Sequence, residues 1–82
     1  MKEKSVDRYM NKYKDIRGTL IKKRTHLFGS TMTFVISDGK ETVSVKVGKG
    51  LDPIYPVGCK LTVGHIGHKL INIRPGIVYD DK

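Results

Sequence analysis

Tryptophan is absent and cysteine occurs once, at position 59 of 82 residues. One thiol closes no internal disulfide, whereas small exported domains are ordinarily stapled by several, so a reducing compartment is expected. Apolar runs stop at three residues, as in Phe34-Val35-Ile36. A bilayer-spanning helix needs about 20. The opening Met1-Lys2-Glu3-Lys4 leads into no apolar signal segment, and the chain reads as a soluble cytoplasmic protein. Carboxylates are also scarce, 8 against 16 Lys and Arg, which leaves a net charge of +8. The length excludes a TIM barrel or a two-lobed dinucleotide-binding enzyme and allows one small domain, with stability on the order of 5 kcal/mol.

The charge is unevenly placed, with +6 of the +8 in residues 1–30. Such a field attracts phosphate backbones or an acidic protein surface, because each cation brought to a polyanion releases condensed counterions.

Val6, Tyr9, Met10 and Tyr13 recur at i, i+3, i+4 and i+7, which predicts a basic amphipathic helix over residues 5–14, with Ser5 as its N-cap. After Gly18 the period becomes two. Thr19–Arg24 and Thr31–Ser37 read as strands, the second with Met32, Phe34 and Ile36 on one side. Asp38-Gly39 supplies a hairpin turn, and Val43, Val45 and Val47 then alternate inward opposite Thr42, Ser44 and Lys46. The Gly- and Pro-rich stretch 48–58 is a connection. Cys59–Val63 and Lys69–Arg74 are two further strands around a Gly64–Gly67 turn, and Ile77–Tyr79 is a possible short edge strand.

Five short strands without a long helix between them argue for a bent sheet that closes into a barrel. Val57-Gly58-Cys59-Lys60-Leu61-Thr62-Val63, a hydrophobic-Gly entry into an alternating strand, resembles the corresponding segment of OB-fold and related small barrels. The Asp38-Gly39 hairpin is similar to their second and third strands. The resemblance covers residues 16–75 as a pattern, and departs from the OB layout where 48–58 is short and Pro-rich instead of helical. The expected fold is thus mainly β: a five- or six-stranded antiparallel, OB-like barrel over 16–79, an N-terminal helix within 1–15 and an acidic tail at 80–82.

The residues for covalent or metal chemistry do not assemble. Cys59, His65, His68 and His26 include one thiolate donor and lack the paired spacing of a zinc site. Cys59 reads as an inward core position, poorly activated as a nucleophile. Gly48-Lys49-Gly50 lacks the ending and the helix of a phosphate loop. Neither an enzyme, nor a metal, nor a cofactor is expected.

Lys22-Lys23-Arg24-Thr25-His26-Leu27-Phe28 combines cations with a ring in what reads as the loop after the first strand. In an OB-type barrel that loop borders the ligand groove, so the resemblance implies that it flanks bound nucleic acid. The candidate contacts are Lys22, Lys23 and Arg24 on phosphates, Phe28 stacked on a base, and Arg17, Lys46 and Lys60 in support. The expected function is non-enzymatic binding of RNA or single-stranded DNA with little sequence preference. The alternative is a small bacterial or phage regulator that docks on an acidic surface of a larger protein such as a polymerase or nuclease. Neither reading involves a membrane or a small-molecule substrate.

Overall fold

A computed structural model describes residues 12–79. It is mainly β, with strands β1 (Tyr13–Thr25), β2 (Thr31–Ser37), β3 (Thr42–Gly48), β4 (Lys60–Ile66) and β5 (Lys69–Pro75). One 3-10 turn, Lys49–Leu51, lies in the connection from β3 to β4.

The strands form a closed sheet in the order β1-β2-β3-β5-β4. Closure depends on β1, whose first half pairs with β4 from Tyr13↔Ile66 to Thr19↔Lys60, while its second half pairs with β2 from Thr19↔Ser37 to Thr25↔Met32. Gly18 lies where the two ladders meet. A Cβ there would collide with the Ser37 carbonyl, so only glycine lets β1 and β2 approach this closely. The sheet is mixed, not purely antiparallel, because β5 meets β3 in a parallel contact at Lys46↔Lys69.

Alternation sets the core. Ile16, Leu20, Met32, Phe34, Ile36, Val45, Val47, Leu61 and Val63 fill the interior, and Tyr55 from the β3–β4 connection packs edge-on to Phe34 with centroids 6.5 Å apart. The hairpin from β2 to β3 forms around Asp38, whose Oδ1 accepts the backbone N–H groups of Lys40 and Glu41 at 2.9 and 2.8 Å. Gly39 has φ +96°, the left-handed conformation such a turn requires.

Several expectations need correction. Tyr13 and Lys14 belong to β1, not to a helix, because β4 supplies them with ladder partners, Ile66 and His65. The rest of the proposed helix, residues 5–11, lies outside the described residues apart from Lys12, as does the tail at 80–82. The Tyr13 ring crosses Gly64, where a Cβ would strike its hydroxyl, and that hydroxyl accepts a hydrogen bond from Asn72 Nδ2 at 2.9 Å. The turn expected at Gly64–Gly67 is shorter, since β4 runs through Ile66. His65 consequently points inward and is buried.

Residues 77–79 form no strand. They belong to a strap laid over the outer face of β4. Thr62 Oγ1 donates to the Gly76 carbonyl at 2.9 Å and accepts the Val78 N–H at 2.8 Å, which explains how an outward-facing threonine is fully buried. Among the described residues, no helix is long and apolar enough to cross a membrane.

Candidate nucleic-acid interface

The pairing registers carry side chains from distant parts of the chain into rows on the outer surface. One row runs Arg24↔Thr33 from β1 to β2, Thr33↔Lys46 from β2 to β3, and Lys46↔Lys69 from β3 to β5. The adjacent row runs Lys22↔Val35↔Ser44. Lys22, Arg24, Lys46 and Lys69 are all exposed. The carboxylates among the described residues are elsewhere: Asp38 and Glu41 in the hairpin turn, Asp52 after the 3-10 turn, and Asp15 on the half of β1 that pairs with β4. Four cations therefore share a face without a resident anion.

Loops border this face on two sides. In the β1–β2 loop, His26 Nε2 lies 2.9 Å from Thr33 Oγ1 and its Nδ1 lies 3.4 Å from Thr31 Oγ1, which fastens the loop to the outer side of β2. At the β4–β5 turn, His68 Nδ1 donates to the Ser44 carbonyl at 2.8 Å, and Lys46 N–H donates to the His68 carbonyl at 2.9 Å. Lys46, His68, Lys69 and Leu70 line a shallow cleft at this junction. Beyond His26, the loop projects Leu27 and Phe28 into solvent, 87% and 85% exposed.

The seven sequence candidates thus divide. Lys22, Arg24, Lys46 and Phe28 gather on or beside the cationic face. Lys23 does not. The register slips between Leu20 and Lys22, a bulge that reverses the alternation and turns Lys23 inward beside Phe34. Its ammonium donates to Asp52 Oδ1 at 2.6 Å and to the Asp52 carbonyl at 2.7 Å, and stands 5.6 Å from the centre of the Phe34 ring. Lys22–Arg24 lie within β1, as the strand expected over Thr19–Arg24 requires, and the loop that follows starts only at His26.

Arg17 and Lys60 occupy a second region, a hollow they line with Ile21, Ile77 and Tyr79. Arg17 Nε donates to the Val78 carbonyl at 2.7 Å, a terminal nitrogen lies 3.6 Å from Asp15 Oδ2, and the guanidinium stacks 4.6 Å from the Tyr79 centroid. It anchors the strap. Lys60 Nζ donates to Thr19 Oγ1 at 3.3 Å.

Lys69 and the hydroxyls of Thr33 and Ser44 escape sequence reasoning. Only the β3–β5 contact brings Lys69 beside Lys46, 23 positions earlier, and no local pattern reports it. The histidines and Cys59 are dispersed, with His65 inside, His26 on β2 and His68 on β3. Among the described residues, no three His, Cys, Asp or Glu side chains gather where they could hold a metal. No family model matches the chain, and neither a curated protein nor a solved structure is matched.

Proposed function

We propose that this chain is a non-enzymatic, OB-like barrel that binds RNA or single-stranded DNA with little sequence preference through the outer face of β1, β2, β3 and the start of β5. The observation that carries this reading is the row Arg24–Thr33–Lys46–Lys69, a cationic line drawn across four strands. The strand order and the brief parallel contact of β3 with β5 support the OB-type reading. Cations in that line neutralise phosphates irrespective of sequence, and Phe28 at the rim offers one ring to a base.

Fluorescence anisotropy with labelled oligonucleotides at several salt concentrations tests the proposal. Four neutralised phosphates on a single strand give a slope of log K against log salt near −3. Absence of binding at low salt refutes the function.

A protein-docking role has a separate observation in its favour. Ile21, Ile77 and Tyr79 are exposed beside Arg17 and Lys60 in the second hollow, an apolar surface with a cationic margin. A partner retained on immobilised protein after nuclease treatment, and lost with Ile21→Glu, would favour that reading.

A further inference from the structure

The cationic face differs from a stacking platform in what lies between its charges. Proteins that hold single strands present successive rings on which bases stack. Among the described residues, Phe34 and Tyr55 are in the core, Tyr13 lies across Gly64, and Tyr79 covers Arg17. Between the cations of β1 and those of β3 and β5, β2 presents the half-buried hydroxyls of Thr31 and Thr33 about a buried Val35, and Ser44 adds a further half-buried hydroxyl on β3 beside Lys46. Phe28 is the one exposed Phe or Tyr ring near the face among the described residues, and it is carried by the β1–β2 loop, not by the sheet.

The hydroxyls are partly free to recognise a ligand. His26 approaches Thr31 and Thr33 with one ring nitrogen each. A threonine hydroxyl offers one donor and two acceptor sites, of which the ring occupies one on each, so both hydroxyls keep further hydrogen-bonding capacity.

Arg24 and Lys69 stand at the ends of the row, separated by three strand spacings, roughly 14 Å at about 4.8 Å each. Lys22 and Arg24 on β1 form one charged margin and Lys46 and Lys69 on β3 and β5 the other, with the hydroxyls of Thr31 and Thr33 on β2 between them, and this convex arrangement complements a wide, shallow groove edged by phosphates and floored by hydroxyl groups. The minor groove of A-form RNA has that character, because it exposes the 2′-hydroxyls. The minor groove of B-DNA is narrow and has no 2′-hydroxyls.

We infer that the preferred ligand of this face is double-helical RNA, gripped across its minor groove with Arg24 and Lys69 on phosphates of opposite margins and Thr31, Thr33 and Ser44 facing the 2′-hydroxyls. The inference rests on the nucleic-acid reading above and narrows it to one class of polymer.

Fluorescence anisotropy with the full chain and four labelled probes of one mixed sequence tests it: an RNA duplex of about 16 base pairs, its single RNA strand, the matching DNA single strand and the DNA duplex. The RNA duplex should bind at least ten-fold tighter than either single strand and at least five-fold tighter than the DNA duplex. Arg24→Gln and Lys69→Gln should each weaken duplex binding about five- to ten-fold, each reducing the salt slope by about one. Lys40→Gln, in the exposed β2–β3 turn away from the cationic face, should leave duplex affinity within about two-fold. Equal or tighter binding of single strands, or a loss with Lys40→Gln equal to those of Arg24→Gln and Lys69→Gln, overturns the duplex assignment while leaving the nucleic-acid function standing. Absence of binding to all four probes overturns both.

Discussion

Lys22, Lys23 and Arg24 are indistinguishable as a run of charge, yet one backbone irregularity gives the middle residue a different task. The bulge after Leu20 turns Lys23 inward, where Asp52 and the Phe34 ring receive its ammonium. Removing it strands a carboxylate and opens the packing above Phe34, although Asp52 is itself about half-exposed and water compensates part of the loss. Lys23→Ala should therefore lower stability by about 1–2 kcal/mol, whereas Lys22→Ala and Arg24→Ala should stay within about 0.5 kcal/mol. Urea unfolding measures the difference, and anisotropy should show the reverse order for the salt slope. Equal unfolding midpoints for the three variants would contradict the inward placement. Asp38 illustrates local chemistry of another kind. Backbone N–H groups of Glu41 and Lys40 hold its carboxyl below the ordinary value of 3.8. The folded state thus favours the ionised form, and its contribution is full above that ordinary value and lost as pH falls through the depressed one. Asp38→Asn should destabilise the protein at neutral pH, with the deficit relative to the parent shrinking on acidification below about pH 4. A deficit constant from pH 7 to about pH 2 would show that these hydrogen bonds are not the source.

At the scale of elements, β1 shows what local pattern can and cannot disclose. The β2–β3 hairpin is legible because Met32-Thr33-Phe34 and Val43-Ser44-Val45 alternate on either side of Asp38-Gly39, all within one contiguous stretch. The first half of β1 is not legible. Tyr13 completes a helical spacing with Val6, Tyr9 and Met10, while the strand that claims it, β4, lies about fifty positions away. Nor does any residue between Leu20 and Lys22 announce the bulge. Gly18 is the local sign of the double pairing, and its absence of a side chain is required. Gly18→Ala should cost at least about 1–3 kcal/mol, since its neighbour is the backbone of Ser37, which cannot rotate aside. Gly50, with open space where a Cβ would be, is the matched control. Similar losses at both positions would mean that glycine flexibility, not the crossing, sets the effect.

At the scale of the whole molecule, the relevant distinction is between the total charge and its arrangement. Four of the seven sequence candidates gather because two separate registers align them with one another or with their bordering loop, and Lys69 joins them through a single parallel bridge. The remaining three candidates do something else: Arg17 ties down the strap, Lys23 turns inward to Asp52, and Lys60 reaches Thr19. A sequence supplies the number of charges, whereas a strand register supplies their distances, and here the registers join residues up to tens of positions apart. Two quadruple variants separate the contributions. Replacing Lys22, Arg24, Lys46 and Lys69 by Gln lowers the net charge from +8 to +4, as does replacing Lys12, Lys14, Lys40 and Lys60. All eight side chains are exposed, so both proteins should fold. If binding depends on the face, the first variant loses most of its affinity and most of its salt slope, while the second keeps a slope within about one unit of the parent. Equal losses would mean that the polymer responds only to the diffuse positive field, and that the alignment across the four strands has no part in recognition.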